Sequence, residues 1–197
     1  SAMHLAGEYA YAGRDVVVNT VLNILGAKSL FEVHNHHNFA WHEEHFGKKY
    51  WVVRKGCTPA FPGQLGFVGS NMEDYSVILE GVESELSKKA VYSTVHGAGR
   101  VMSRRKALGK VKWKKDTDGI RKPFVVQPGL INYSEVRKRI REKGIELRGG
   151  GADEAPEVYK SLKNVLEKHH GTIKVIHRLK PIGVAMAGTG DVDPYKD

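Results

Sequence analysis

The chain has one cysteine, Cys57, among 197 residues, so no disulfide can close within it and a cysteine-rich zinc site is excluded. Any metal must therefore be held by His, Asp, Glu or Asn. Long apolar runs are missing too: no stretch approaches the roughly 18 consecutive apolar residues that a membrane-spanning helix needs, and the N-terminus lacks the charged-then-apolar order of a signal peptide. A cytoplasmic protein with no membrane partner is expected. Acidic residues are in deficit, 22 Asp and Glu against 31 Lys and Arg, which leaves a formal charge of +9. That excess points to a polyanionic partner, nucleic acid or nucleotide, and is silent about fold. No internal repeat or linker is visible, and with 41% hydrophobic residues the chain can build one domain with a substantial core.

Leu5, Tyr9, Ala12, Val16, Val17, Val21 and Ile24 recur at three- and four-residue steps, which predicts an amphipathic helix over 3–25, ended by Gly26. Strands are predicted over 30–33, 50–54, 75–79, 91–95, 124–127, 173–177 and 182–186, with a long shaped loop over 56–69. Residues 100–115, crowded with Arg and Lys around Trp113, read as a basic arm, half helix and half loop. Ser134 is expected to cap a helix over 135–143 that Gly144 stops, and Asp153 to cap another that carries Pro156 in its first turn and runs to Gly171. His169 and His170 would complement that helix's dipole. The irregular order of strands and helices argues for an α+β fold of mixed sheets with packed helices over a doubly wound sheet. Residues 1–187 are assigned to this body and 188–197 to a mobile tail.

Two short runs carry the chemistry. His34, His36, His37, His42 and His45 lie within twelve residues, and imidazole is the commonest metal ligand near neutral pH. Alternation along an extended segment places His34 and His36 on one face and His37 on the other, so one or two ligands is the realistic yield. The alternative is a solvated loop whose rings are hydrogen-bonded. Imidazole suits manganese, zinc or iron alike, and Asn35 and Asn38 can orient a ring or bind a ligand oxygen. The second run, Val95-His96-Gly97-Ala98-Gly99-Arg100, can present successive N–H groups to an anion and a guanidinium fork to phosphate. Here His96 is a general base, a ligand or a nucleophile, unless the run is only a tight turn with a satisfied histidine. Pro62-Gly63-Gln64 and Gly69-Ser70-Asn71-Met72 add glycine-rich loops, and Arg54-Lys55-Gly56 adds two cations where a phosphate can dock.

Asn35-His36-His37-Asn38-Phe39-Ala40, Arg54-Lys55-Gly56, Ala60-Phe61-Pro62-Gly63-Gln64 and the His96 run resemble, in order, motifs of the RtcB-type RNA ligases. Asp153 to Lys160 and Leu179 to Val184 continue the likeness over most of the chain. The resemblance implies a GTP- and manganese-dependent ligase that joins RNA 3′-phosphate or 2′,3′-cyclic phosphate ends to 5′-hydroxyl ends in tRNA splicing or RNA repair. By it, His96 is the nucleophile that takes GMP as a phosphoramidate, and Gly97, Ala98 and Gly99 line the nucleotide. His37 is a manganese ligand, Asn38 contacts the guanylate, and Gly69, Ser70, Asn71, Met72 and Ser76 form a further nucleotide loop. Arg54, Lys55 and Arg100 are candidates for the RNA phosphates. Broken RNA such as tRNA halves, GTP and an activating protein are the implied partners; no oligomeric state follows. The family's remaining metal ligands would precede Ser1, so the chain is expected to be a C-terminal half, an incomplete fold inactive alone. Glu73 is a departure that should repel a nucleotide, and Ala185-Met186-Ala187-Gly188 stand where many members carry a guanine-reading lysine. Two other readings remain open: a non-catalytic RNA-binding relative and a metal-dependent phosphohydrolase using the histidine segment.

Overall fold

The computed structural model describes residues 2–188, and the expected tail from 188 falls almost wholly outside them. Helices and small sheets, most of them antiparallel, give an α+β architecture. The chain divides into two compact units: residues 1–68, 78–96 and 169–177 form the first, and 69–77, 97–168 and 178–197 the second.

The first unit opens with α1 (Ala2–Leu25), which ends at Gly26 (φ +61°) in the left-handed region that glycine tolerates. Its apolar stripe is not core: Leu5, Tyr9, Val16, Val17, Val21 and Ile24 are all exposed, and Gly7 alone is buried. The helix docks instead through Tyr11, whose ring meets those of His34 at 4.3 Å and His36 at 4.0 Å. The strand expected over 30–33 is absent. Side-chain bonds do its work: the Asn35 amide donates to the Leu65 carbonyl (3.1 Å) and accepts from Phe67 N–H (3.2 Å), pinning the segment without a ladder.

Much of the supposed histidine loop is strand. β1 (Asn38–His45) pairs antiparallel with β2 (Lys48–Lys55), from Asn38 opposite Lys55 to His45 opposite Lys48. The loop expected over 56–69 likewise holds β3 (Cys57–Pro59) and β4 (Leu65–Val68). β5 (Ser76–Gly81) leads to the short α2 (Glu85–Lys89), capped by Ser84, and then to β6 (Ser93–Val95), which pairs with β3. β10 (Ile173–Leu179) completes a sheet of order β10-β5-β4, whose residues 76–77 and 178–179 belong to the second unit. Leu79, Val68 and Ala60 are buried apolar residues of the first unit, and His45, Arg54, Thr58, Ser87 and Thr94 are its buried polar ones.

In the second unit, α3 (Arg104–Leu108) runs into a hairpin of β7 (Gly109–Lys115) and β8 (Arg121–Pro128), so the half of the basic arm read as loop is β-structure. α4 (Tyr133–Glu142) is capped by position rather than by Ser134: Asn132 is the first residue outside, and the Ser134 hydroxyl donates to its amide oxygen. Val136 and Ile140 bury against Met72, Ile145, Leu147 and Ala155. β9 (Glu146–Arg148) pairs in parallel with β11 (Gly183–Ala185). The helix expected to run from Asp153 to Gly171 breaks into two 3-10 turns, Ala152–Glu154 and Pro156–Val158, before α5 (Leu162–Glu167). Pro156 forces this, because its ring excludes the helical conformation at the preceding residue, and Ala155 is extended at ψ 149°.

Candidate active site

In the first unit the rings of His37 and His96 lie parallel, 4.8 Å apart at 7°. Pairing explains the meeting. Cys57 opposite Val95 in the β3–β6 ladder brings His96 to the strand end beside Gly56, and Gly56 N–H donates to the His37 carbonyl at 2.8 Å. A Cβ on Gly56 would sit 3.7 Å from His96 Nε2, and its φ of +72° is itself a glycine conformation. Lys55 and Asn38, an exposed cross-strand pair, adjoin these residues in sequence. Burial of part of the ring lowers the pKa of His96, and the nearby His37 lowers it further, although the residue keeps an exposed side. Its imidazole is therefore neutral at neutral pH, with a lone pair free for attack or ligation.

The other histidines divide as alternation requires. His34 and His36 face α1, with His36 stacked on Phe39 at 4.8 Å, while His37 points to His96. His42 is exposed beside Trp51 (5.1 Å), and His45 is buried with its Nε2 2.8 Å from Glu43 Oε2. His169 is no charged helix cap: burial lowers its pKa, and its Nδ1 lies 3.5 Å from Thr94 Oγ1. Among the described residues no three His, Cys, Asp or Glu side chains converge as a metal site. The donor set in view, His37 with His96 stacked flat against it, does not by itself fit a bound manganese ion.

Arg54, expected at an RNA phosphate, is structural. It is 1% exposed and forms a fork on Glu43 (2.7 and 2.9 Å), with further bonds to Ser93 Oγ (2.9 Å) and the Val91 carbonyl (2.8 Å). Four of its five N–H donors are thus engaged. The last bond anchors Val91 and Tyr92, whose φ values of +46° and +48° are strained for such side chains.

In the second unit, Gly97 makes a parallel bridge to Gly69, and a Cβ there would press the Gly69 carbonyl at 3.4 Å. Gly99 has φ +74°, and its carbonyl accepts Lys160 N–H at 2.9 Å. Ala98 is buried. Arg100 does not offer a free fork. It donates to the carbonyls of Met102 (3.1 Å) and Asp153 (2.6 Å) and to Tyr159 Oη (3.2 Å), beside Glu154.

The Gly69 loop is shaped by its own side chains: Asn71 Oδ1 accepts the N–H groups of Glu73 and Asp74 (3.0 and 2.9 Å), and Ser76 Oγ accepts Ser70 N–H (3.3 Å). Met72, expected to line a nucleotide, is 5% exposed and belongs to the core. Glu73 is turned toward α4, where Arg139 (3.0 Å) and Lys143 (2.7 Å) hold it. Desolvation pushes its pKa up, but the bonds from those two cations outweigh it and the net shift is down. The carboxylate expected to repel a nucleotide is thus already neutralised. The Ser70 hydroxyl in turn donates to Asp74 Oδ2 (3.3 Å), so the loop's polar side chains bond one another.

The chain resembles known proteins. A family model described as tRNA-splicing ligase RtcB matches residues 1–127. The RNA-splicing ligase RtcB of Escherichia coli K12 is 32% identical over 77% of this chain and 31% of its own length. The tRNA-splicing ligase RtcB of Pyrococcus abyssi is 30% identical over 94% of this chain and 21% of its own. An RtcB homolog 1 from Entamoeba dispar is 33% identical over 92% and 36%. The chain thus spans between about a fifth and just over a third of these relatives' length, and it belongs to the RtcB family of tRNA-splicing ligases.

Proposed function

We propose that this chain carries the nucleotide-accepting part of a GTP-dependent RNA ligase acting on broken RNA such as tRNA halves. The observation that supports it best is His96, kept neutral and stacked on His37 at the mouth of a glycine run. A nitrogen of His96 attacks the α-phosphorus of GTP; a P–N bond forms, the α–β P–O bond breaks and pyrophosphate leaves. The GMP then passes to an RNA 3′-phosphate, whose oxygen displaces the imidazole. Attack by the 5′-hydroxyl on that activated phosphate closes the new phosphodiester and releases GMP. Asn38 contacts the guanylate, Gly97, Ala98 and Gly99 with Gly69, Ser70, Asn71 and Ser76 line the nucleotide, and Lys55 is the exposed cation for RNA phosphate. Manganese enters this reading as a cofactor toward which the chain contributes His37; no step is routed through it, since the described residues lack a converging donor set.

The test is incubation of the natural full-length protein with manganese and GTP labelled at the α-phosphate. Label should appear on His96 as an acid-labile, alkali-stable adduct and vanish in His96→Ala; wild type left unlabelled would sink the reading. The engaged Arg100 favours one alternative, a non-catalytic RNA-binding relative. It predicts RNA binding that survives His96→Ala with no ligation by the intact protein.

A further inference from the structure

The hairpin of β7 and β8 is a cationic ribbon that the reaction above does not use. Lys112 and Lys114 alternate along β7 on one face, roughly 7 Å apart, and Lys110 precedes them across a register shift in which the ladder passes over Val126. Their cross-strand partners are Gln127, Phe124 and Lys122. All three lysines are exposed, as is Phe124, over whose ring Lys114 Nζ sits at 4.8 Å. Acidic residues near them are few: Asp116 and Asp118 stand in the connecting turn, where Asp116 is bound to Lys122 (2.6 Å) and accepts the N–H groups of Asp118 and Ile120. At the foot of the ribbon Arg105, Lys106 and Lys110 line a cleft of about 220 Å³. Close packing fixes this foot, since a Cβ on Gly129 would lie 1.9 Å from the Ala107 carbonyl oxygen.

Like charges in a row along one strand repel, and a polyanion laid along them relieves that cost. Lysine supplies point charges without a planar fork, which suits sequence-independent contact with phosphates, and an exposed ring among them can stack a base. We propose that the Lys110–Lys112–Lys114 run of this ribbon is a docking surface for the sugar-phosphate backbone of the RNA substrate. The proposal rests on the ligase reading for the identity of its polyanion, and on the ribbon alone for its place.

The test uses the natural full-length protein and a triple variant, Lys110→Gln, Lys112→Gln and Lys114→Gln, with the corresponding Glu variant as a stronger perturbation. Fluorescence anisotropy would follow labelled RNA, one single-stranded and one duplex, across a salt series. For three neutralised phosphates, each worth roughly 0.7 to 0.9 in slope, the variant's log K against log salt plot should be shallower by about 2 to 3. Its affinity near physiological salt should fall by an order of magnitude or more, and the RNA that loses more identifies the form bound. His96 labelling by GTP in the absence of RNA should be unchanged. RNA affinity and slope equal to wild type in both variants overturn the proposal, as does loss of binding to anionic vesicles with RNA binding intact. A wild type that never takes label, yet loses RNA affinity on the triple change, keeps the ribbon and removes the ligase reading.

Discussion

Arg54 shows what a buried charge does in this chain. Its guanidinium is enclosed between the rings of Trp41 (4.9 Å) and Phe61 (5.9 Å) and neutralised by Glu43. Removing one partner of such a pair leaves the other charge buried and alone, at a cost of about 3 to 5 kcal/mol. Arg54→Ala should therefore lower the unfolding free energy by that amount in urea titrations, whereas Arg54→Lys, which keeps charge but loses the fork, should fall between it and wild type. A loss under about 1 kcal/mol, the range of an exposed pair, would return Arg54 to the surface role its sequence suggested. That misreading has a physical source, because Arg-Lys-Gly at a strand end looks the same whether its first cation faces core or solvent. Alternation did separate His37 from His34 and His36, since backbone period alone decides it. The meeting of His37 with His96 depends on pairing between distant strands, which no local pattern encodes.

Among the elements, the β7–β8 hairpin is the least marked in the sequence. Alternating lysines read as a charge run, although Asp116-Thr117-Asp118-Gly119 is turn chemistry: the Asp116 carboxylate caps the turn and Gly119 takes φ +76°. Pro156 in a capped segment predicts a first-turn proline of one long helix, where two 3-10 turns stand instead. By contrast α1, α4 and most strands were legible from periodicity. The glycines at the ribbon's foot make a separate expectation. Gly129→Ala drives a methyl into the Ala107 carbonyl, and Gly109→Ala adds a Cβ 2.1 Å from the Gln127 oxygen at a φ of +82°. Both contacts are with backbone, so Gly109→Ala must part the strands and Gly129→Ala must shift the residue after β8 away from α3. Amide hydrogen exchange over 109–115 and 121–128 should accelerate in either variant, while exchange in α4 around Val136 and Ile140 stays near wild type. Equal acceleration in both regions would mean that the ribbon is tied into the core of its unit.

Each compact unit is held partly by one carboxylate that the fold keeps ionised, Glu43 in the first and Glu73 in the second. Burial works against both, but Arg54 and His45 on one and Arg139 and Lys143 on the other leave each with a pKa below the ordinary 4.5. Because the folded pKa lies below the unfolded one, the unfolded chain binds more protons between the two values. The stabilisation is then complete above pH 4.5 and is lost as pH falls through the folded value. His96, also lowered, acts in the same direction at higher pH. Protonating carboxylates raises a net charge that already stands at +9, so self-repulsion adds to the loss. Calorimetry should show Tm falling steeply below about pH 4.5, as expected where ion-paired carboxylates must protonate. Glu43→Gln should start lower at neutral pH and decline less on acidification, because one of the linked protons is gone. A variant whose Tm runs parallel to wild type through that range would show that the Glu43 network does not govern acid stability, leaving the repulsion among 31 basic side chains as the dominant cause.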